Sequence, residues 1–310
     1  MDENTKISII IPCYNSQKTI SYVVQDIKTN LEGVYRYKII LVNDNSNDNV
    51  WKIIENLCIN NPNIVGLSLA QNFGQQAARM AALQYVEGEY VVFMDDDGQH
   101  PAEGILKLID KAKEGYDIVY ALFCKKKESN FKKIGSWINT KMTDWIMKKP
   151  RDVKQSSFFV VRRFVIKELQ NYTSPFPYLF GYFMRITKNI ANVEIEHRER
   201  LSGKSGYNFK KLIKLWFDGF TGFSVVPLRI ISLIGSLCAL VGFISGVIVV
   251  IQKIMNPAIV AGYTSLIAVI LFCSGLILLM LGLTAEYIGR IFLTVNNLPQ
   301  YVVRDSININ

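Results

Sequence analysis

Residues 89–101 of the chain read EYVVFMDDDGQHP, an apolar run that passes directly into three consecutive aspartates. A short apolar run rich in β-branched and aromatic residues is typical of a buried strand. Two carboxylates one residue apart at the end of such a strand can hold a divalent cation against diphosphate oxygens, because Mg²⁺ and Mn²⁺ prefer hard oxygen ligands. Residues 89–94 are therefore predicted to form a strand that ends in a candidate metal site.

Three similar apolar runs precede this segment, and stretches rich in helix formers alternate with them. The predicted strands cover residues 6–12, 37–42 and 64–69, and the predicted helices cover residues 16–31, 50–60 and 75–85. Regular strand–helix alternation implies an open parallel sheet with helices on both faces. The ligand of such a sheet binds beyond the carboxyl ends of its strands, so the aspartates are predicted to face the ligand.

Tyr14, Asn15 and Asp44 also follow predicted strand ends, which places them beside the aspartates. Two interpretations of Asp44 remain open. Its carboxylate would accept hydrogen bonds from a nucleotide base or ribose, or it would form an Asx turn that caps the following helix. His100 likewise would contact the bound ligand or cap the helix that starts at Pro101, and we favour the cap.

The last third of the chain has a different character. Residues 230–251 and 256–285 contain no charged side chain, and each stretch is long enough to cross the hydrocarbon core of a bilayer as a helix. A soluble helix of this length would show a polar face. We predict two transmembrane helices, at about 230–251 and 262–285, preceded by an amphipathic interfacial helix within 209–220.

The net charge of +9 is compatible with a nucleic acid, a membrane surface or a phosphate-bearing substrate as partner. Its placement distinguishes them, because a cluster of basic residues leads into the first apolar stretch: Lys204, Lys210, Lys211, Lys214 and Arg229. Basic residues there attract anionic headgroups and keep both termini in the cytoplasm. The sequence therefore predicts a lipid bilayer, and not a nucleic acid, as partner.

The remaining composition excludes other classes of protein. The five cysteines form no CxxC pair, and the two histidines are far apart, so neither a disulfide framework nor a zinc site is expected. The acidic start lacks the basic region of a signal peptide. We therefore predict a cytoplasmic α/β domain at residues 1–205, amphipathic juxtamembrane helices at 206–228, and a transmembrane hairpin with a cytoplasmic C-terminal tail at 229–310.

Four segments, IIIPCYN, LVNDNSND, LAQNFGQQAA and FMDDDGQHP, resemble in this order the family 2 inverting glycosyltransferases. Four later segments, HRER (197–200), GKSGY (203–207), VPLR (226–229) and AEYIGRI (285–291), resemble the polyprenyl-phosphate glycosyltransferases of that family. The resemblance covers essentially the whole chain. It implies a Rossmann-like GT-A domain with a mostly parallel sheet, and transfer of a monosaccharide from a nucleotide-sugar, by resemblance a UDP-sugar, to undecaprenyl phosphate or a similar polyprenyl phosphate, with Mg²⁺ or Mn²⁺ as cofactor.

The resemblance also implies roles for individual residues. The nucleotide-sugar pocket would be lined by Pro12, Tyr14, Asn15, Asp44, Asn72, Gly74, Asp95 and Asp96. The metal would be bound by Asp95, Asp97 and Gln99. The acceptor phosphate would be bound by Arg200, Lys204, Ser205 and Tyr207. The residues expected to act in catalysis are Asp95, Asp97 and Arg200.

The chain departs from the family pattern at two places. Many relatives carry an acid in a G-D-F segment, where this chain reads Gln155-Ser156-Ser157-Phe158, and a serine cannot act as a comparable base. The acceptor phosphate is largely dianionic at neutral pH, because its second pKa is about 6, so we hypothesise direct in-line attack on the anomeric carbon. Phe123 stands where relatives often have an arginine, which leaves open how the acceptor phosphate is neutralised.

Two other functions fit the sequence less well. A processive polysaccharide synthase usually carries an Arg-Trp acceptor motif, which this chain lacks, and two spans do not readily enclose a polymer. A non-catalytic membrane scaffold with a degenerate transferase domain need not keep the three aspartates and Asp44. We therefore expect an enzyme, and a homo-oligomer, since two spans per chain make association plausible and relatives are often oligomeric.

Overall fold

The structure is a computed structural model, and it describes residues 6–123, 153–196, 198, 226–255 and 262–309. The chain divides into two compact units. The first joins the N-terminal region to the residues from Asn297 onward, and the second lies between them in the sequence.

The first unit is built on one sheet with helices packed against it. In the described part of the chain, its strands are β1 (Lys6–Cys13), β2 (Arg36–Asn43), β3 (Ile64–Leu69), β4 (Tyr90–Phe93), β5 (Ile118–Phe123), β6 (Phe159–Arg162), β7 (Ile190–Ile195) and β8 (Val303–Ile307). Its helices are α1 (Ile20–Leu31), α2 (Val50–Ile59), α3 (Gln75–Ala82), α4 (Glu103–Lys113), α5 (Arg163–Gln170) and α6 (Leu179–Ile186). The helix predicted to reach residue 85 ends at Ala82 and continues as a short 3₁₀ turn.

The strands lie in the order β7-β5-β6-β4-β1-β2-β3-β8. β1 pairs in parallel with both β2 and β4, β2 with β3, and β5 with β7. β6 runs antiparallel between β4 and β5, and β8 runs antiparallel along β3. The prediction of a mostly parallel α/β sheet is therefore confirmed, and the antiparallel strands add to it.

Burial explains why the parallel strands are recognisable in the sequence. Every residue of β1 after Lys6 is buried, and so is every residue of β3. Strands covered on both faces must be apolar throughout, so they appear as continuous apolar runs. Helices α1 and α4 each bury one apolar face in the same core, through Ile27 and Leu31 of α1 and Leu108 and Ile109 of α4.

The C-terminal tail contributes a strand that the sequence analysis does not predict. β8 pairs with β3, and the backbone N–H of Ala70 donates to the carbonyl of Val302 at 2.9 Å. β8 thus covers an edge that would otherwise expose unpaired backbone groups. Its own outer positions carry Arg304 and Asp305, which are charged and exposed, and charges on an edge strand oppose pairing with another chain.

Two side chains fasten this tail to the rest of the first unit. Gln300, which is buried, donates from Nε2 to the carbonyl of Tyr172 at 2.8 Å. Asn308 donates from Nδ2 to the carbonyls of Cys58 at 2.7 Å and Ile64 at 2.8 Å. The tail, which the sequence analysis groups with the hairpin, is therefore structurally part of the α/β unit.

The second unit contains two long helices, α7 (Val226–Met255) and α8 (Tyr263–Val295). Their most apolar windows, Ile231–Ile248 and Phe272–Val295, are long and apolar enough to cross a membrane, and no part of either window is buried among the described residues. Large exposed apolar surfaces of this kind mark a membrane or protein contact. Most of the juxtamembrane segment predicted at 206–228 lies outside the described residues.

The second helix extends further than the sequence analysis predicts. The predicted span ends at residue 285, just before Glu286, whereas α8 continues to Val295. Arg290 Nε donates to Glu286 Oε1 at 2.9 Å, one helical turn away. This pair, which the spacing of the two residues predicts, reduces the cost of continuing the helix through two charged positions.

Candidate active site

The carboxyl ends of β1, β2 and β4 meet at one edge of the sheet. Cys13 at the end of β1 is in register with Asn43 at the end of β2, and the backbone N–H of Asp44 donates to the carbonyl of Cys13 at 3.0 Å. The backbone N–H of Tyr14 donates to Asp96 Oδ2, also at 3.0 Å. The polar residues after these three strands therefore lie together, as the sequence predicts.

Asn15 joins the loops that follow β1 and β2. Its backbone, with a φ of 54°, places its N–H 3.1 Å from Ser46 Oγ, and its Oδ1 accepts the N–H of Asn47 at 3.0 Å. Pro12 is buried within β1, the strand that precedes the first of these loops. Tyr14 is 49% exposed, so its ring is accessible to a ligand at this edge.

Asp44 is almost completely buried and binds the loop that follows β3. Its Oδ1 accepts the N–H of Phe73 at 2.8 Å, and its Oδ2 accepts the N–H of Gly74 at 2.9 Å. Burial raises the pKa of Asp44, and these two hydrogen bonds partly offset that rise. Both oxygens of Asp44 are thus occupied by a loop about 30 residues further along the chain and not by its own turn or by α2, so the Asx-turn interpretation of Asp44 is wrong.

Asp44 thereby determines where the next predicted site residues lie. Gly74 has a φ of 89°, a conformation that favours glycine, and it directly precedes α3. Asn72 is exposed on the same loop. The Asp44 carboxylate thus connects the ends of β2 and β3, and it holds the loop of Asn72 and Gly74 at the edge of the sheet where Tyr14 lies.

The three consecutive aspartates point to different partners. Asp95 Oδ1 accepts from Gln75 Nε2 at 2.6 Å and from Arg79 Nη2 at 3.0 Å. Asp96 is bound by the backbone of Tyr14, as described above. Asp97 Oδ1 accepts the backbone N–H of Gln99 at 3.0 Å. Separate donors for each carboxylate reduce the repulsion that three adjacent negative charges would otherwise produce.

His100 is buried and contacts the loop of the three aspartates. It is 5% exposed, and its ring stacks between Phe158 and Phe123, with centroid distances of 4.9 and 5.6 Å. Its Nδ1 accepts the backbone N–H of Asp95 at 3.0 Å, and its Nε2 lies 3.4 Å from Ser157 Oγ. An accepting Nδ1 assigns the ring hydrogen of a neutral imidazole to Nε2.

The favoured interpretation of His100, a helix cap, is therefore wrong. The backbone N–H of Ala102, at the start of α4, donates to Asp26 Oδ2 at 3.0 Å, and the ring nitrogens of His100 contact Asp95 and Ser157 instead. Asp26 comes from α1, which is distant in the sequence. A cap supplied by another helix leaves no local signal, whereas His100 directly precedes Pro101 and so looks like the cap in the sequence.

Asp96 has the most strongly altered carboxyl pKa near the site. Burial raises its pKa from 3.8 to about 6, Asp95 and Asp97 add to the rise, and the Tyr14 N–H opposes it. Since the folded state binds this proton more tightly than the unfolded state, stability is lost as the pH rises from about 4 through 6. Above that range the ionised Asp96 carboxylate lowers the free energy of unfolding of the metal-free protein.

We predict that Asp96→Asn raises the melting temperature of the metal-free protein at pH 7.5, by roughly 2–4 °C for each kcal/mol gained. Asparagine keeps an oxygen that accepts the Tyr14 N–H and carries no charge to bury. The advantage should shrink as the pH falls through 6 towards 4. Thermal unfolding in detergent with EDTA measures both effects, and a lower melting temperature at pH 7.5 would contradict the prediction.

The chain that leaves β7 returns to this loop through Arg198. Its backbone N–H donates to the carbonyl of Gln99 at 3.2 Å. Its guanidinium binds Asp26 Oδ2 at 2.8 Å and Glu103 Oε2 at 3.1 Å. Arg198 lies in the HRER segment, but its role is not predictable from the sequence, because its partners lie on α1 and α4. The residues predicted to bind the acceptor phosphate, Arg200, Lys204, Ser205 and Tyr207, lie outside the described residues.

The loop after β4 offers carboxylate oxygens to a divalent cation. In the described part of the chain, no group of three or more His, Cys, Asp or Glu side chains is arranged to hold a metal. Mg²⁺ is usually bound by only one or two carboxylates together with water and substrate phosphates. Asp97 is partly exposed on the loop after β4, at the edge where the ligand of a parallel sheet binds. The residues present fit a cation that is shared with a diphosphate.

Comparison with known proteins identifies the relatives of both units. Residues 8–170 match the family described as glycosyl transferase family 2, and residues 226–291 match the GtrB C-terminal hairpin. An uncharacterized glycosyltransferase of Bacillus subtilis strain 168, YkcC, is 33% identical over 100% of this chain and 96% of its own length. The undecaprenyl-phosphate 4-deoxy-4-formamido-L-arabinose transferase of Proteus mirabilis is 32% identical over 98% of this chain and 94% of its own length.

Solved structures show the same fold at lower identity. Glucosyl-3-phosphoglycerate synthase from Mycobacterium tuberculosis, in complex with Mn²⁺, UDP and phosphoglyceric acid, superposes with a TM-score of 0.51 and 18% identity. The match covers 69% of this chain and 75% of that structure. The predicted GT-A fold of the first unit is confirmed. With a family match over half of the sequence and full-length relatives above 30% identity, this chain belongs to glycosyl transferase family 2 and is a glycosyltransferase.

Proposed function

We propose that this glycosyltransferase moves a monosaccharide from a UDP-sugar to undecaprenyl phosphate, or a similar polyprenyl phosphate, with inversion at the anomeric carbon. The product would be a lipid-linked sugar that serves the modification of a cell-envelope glycan. The observation that carries the proposal is the combination, in one chain, of a polar site at the strand ends of a GT-A sheet with two exposed apolar helices of bilayer length. The similarity to a transferase named for undecaprenyl phosphate supports the acceptor.

The donor side is supported by the network at the strand ends. In the proposed complex, Tyr14, Asn15 and Asp44 border the nucleotide, and the loop of Asn72 and Gly74 closes one side of it. The hydrogen bonds from Asp44 to that loop keep the border in place before the nucleotide arrives, so less ordering is needed on binding. The structure with UDP, although similar only in fold, supports a uridine nucleotide.

The cofactor we propose is Mg²⁺ or Mn²⁺, and the resemblance assigns it to Asp95, Asp97 and Gln99. All three residues lie on the loop between β4 and α4. When bound, such a cation would neutralise charge that develops on the leaving diphosphate. The hydrogen bond from the Gln99 N–H to Asp97 Oδ1 orients that carboxylate in advance.

The acceptor phosphate is proposed to attack without a protein base. A phosphate oxygen forms a bond to the anomeric carbon while the bond from that carbon to the UDP oxygen breaks, so no proton has to be removed from the nucleophile. The two serines in the segment where relatives carry an acid differ in position. Ser156 Oγ accepts the N–H of Phe158 at 3.2 Å, a local turn contact, whereas Ser157 Oγ faces His100. Neither contact supplies a base.

We further propose that α7 and α8 anchor the protein as a multi-pass hairpin, with the α/β unit on the cytoplasmic side. The antiparallel pairing of β8 with β3 supports this arrangement, because the chain before α7 and the chain after α8 both belong to one sheet. Two crossings return the chain to the side from which it started. We also propose a homo-oligomer in the membrane, because the described part of each chain supplies only two spans.

The test is an assay of the purified protein in detergent with undecaprenyl phosphate, Mn²⁺ or Mg²⁺, and a panel of UDP-sugars. Mass spectrometry of the lipid fraction should detect one monoglycosyl lipid whose formation needs the metal and stops with EDTA. Asp110→Asn, an exposed position on α4, serves as the matched control and should retain the wild-type rate. Release of free UDP without a lipid product would contradict the proposed acceptor.

A further inference from the structure

Helix α3 places a buried arginine, Arg79, against the loop of Asp95, Asp96 and Asp97. Arg79 is 4% exposed, and arginines are rarely so buried unless they are paired. Its Nη2 lies 3.0 Å from Asp95 Oδ1 and 3.3 Å from the carbonyl of Ser157, and its guanidinium carbon lies 5.8 Å from the centre of the Phe159 ring. One cation thus joins α3 to the ends of two strands.

Asp95 is held by further residues besides Arg79. Gln75, one helical turn earlier on α3, donates to the same oxygen, Asp95 Oδ1, at 2.6 Å. The backbone N–H of Asp95 is held separately by His100. The Oδ1 atom and the backbone N–H of Asp95 therefore have partners within the protein, and the carboxylate charge is paired with Arg79, while Oδ2 lies 3.9 Å from His100 Nε2.

This arrangement disfavours a metal on Asp95. A divalent cation bound to that carboxylate would lie within a few ångströms of the Arg79 guanidinium, and the repulsion between two cations is strong where water is excluded. The attraction of Asp95 for a metal is also reduced, because its charge is already compensated. Asp97 lies two residues further along the loop, and its carboxylate is held by a backbone N–H.

We propose that Arg79 is a positioning residue that keeps Asp95 out of the metal shell. It holds the Asp95 carboxylate in an internal ion pair. Of the two aspartates Asp95 and Asp97, only Asp97 then binds the cation. The inference rests on the proposed function, in that it requires a nucleotide diphosphate and a divalent cation to bind at this loop. It changes the role implied by the resemblance, in which Asp95 and Asp97 are both ligands.

The experiment measures Mn²⁺ binding in the presence of UDP, by electron paramagnetic resonance of the free ion, and needs no lipid acceptor. Asp95→Asn keeps an oxygen for Gln75 and Arg79, so its Mn²⁺ affinity should stay within about threefold of wild type. Asp97→Asn should lose more than about tenfold, because mutation of residues that merely orient a metal ligand already costs about 10- to 100-fold in affinity. Equal losses in the two variants would overturn the inference.

A second pair of variants separates the charge of Arg79 from its packing. Arg79→Met releases the Asp95 carboxylate, so Mn²⁺ should bind more tightly than in wild type, although the unpaired buried charge lowers the melting temperature. In Arg79→Met/Asp95→Asn, both values should return towards those of the wild-type protein. A merely structural role would lower stability without raising Mn²⁺ affinity, and that result would overturn the inference.

The outcomes also distinguish this inference from the proposed function. If the wild-type protein with UDP bound no Mn²⁺, the proposed donor site would be wrong and the inference would fall with it. If it bound Mn²⁺ and UDP but formed no lipid product, only the proposed acceptor would be contradicted. If it bound both, and Asp95→Asn and Asp97→Asn were equally impaired, the donor site would stand and the role of Arg79 alone would be rejected.

Discussion

Replacement of Asp97 by asparagine is expected to lower the rate of sugar transfer by at least about a hundredfold, the scale of loss seen when one preorganised charge-stabilising group is removed. Asparagine has nearly the same shape, and its oxygen can still accept the N–H of Gln99, which the Asp97 carboxylate now accepts at 3.0 Å. The loop should therefore keep its conformation. What is lost is the negative charge that attracts the cation to the leaving diphosphate.

The measurement is the initial rate of lipid-linked sugar formation at concentrations of Mn²⁺ and UDP-sugar that just saturate the wild-type protein. Asp110→Asn removes one negative charge from the exposed surface of α4 and should leave the rate unchanged. A wild-type rate in Asp97→Asn that still depends on Mn²⁺ would show that the cation is bound elsewhere. Partial recovery of the variant at higher Mn²⁺ concentration is expected, since weaker binding can be offset by mass action.

The sequence is sufficient to predict the central strands and the edge at which the site lies. β1, β3 and β4 are buried along nearly their whole length and β2 from Ile39 onward, so each appears as an apolar run that is followed by polar residues. Since carboxyl ends of parallel strands lie at one edge, the positions of Tyr14, Asp44 and the three aspartates follow from the order of the elements. Burial on both faces thus makes these strands predictable, and their pairing in the structure confirms the mostly parallel sheet.

The partners of these residues are not predictable in the same way. Asp44 binds the backbone at Phe73 and Gly74, and Asp95 binds a side chain on α3, over separations of roughly 16 to 30 residues. Backbone donors have no sequence signature, because every residue except proline has one. The sequence therefore indicates that these carboxylates are together, but not what each one holds.

The missed strand β8 has a different cause. Its sequence, Val303 to Ile307, contains Arg304, Asp305 and Ser306, which do not form an apolar run. An edge strand is exposed on several sides, and its residues need not be apolar. Its register is set by pairing with β3, more than two hundred residues earlier, and by the Asn308 side chain. Local patterns contain no information on such long-range pairing.

Replacement of Asp44 by alanine is the second change with a large expected effect. The carboxylate accepts one backbone N–H on each oxygen, from Phe73 at 2.8 Å and from Gly74 at 2.9 Å. Hydrogen bonds to charged groups are worth about 1.5–3 kcal/mol each, so the free energy of unfolding should fall by about 3 kcal/mol or more. Because the released loop also borders the proposed nucleotide site, UDP affinity should fall by at least about tenfold.

Asp48 provides a matched control in the same connection between β2 and α2. Its carboxylate also accepts two backbone N–H groups, from Gln17 at 2.9 Å and Val50 at 3.2 Å, but it does not hold the loop after β3. Asp48→Ala should therefore lower the melting temperature, while UDP affinity, measured by calorimetry, falls much less than in Asp44→Ala. Equal losses of UDP affinity in the two variants would indicate a general loss of stability. A loss confined to Asp44→Ala would mean that this buried carboxylate, by ordering the loop of Gly74, prepares the site for the nucleotide.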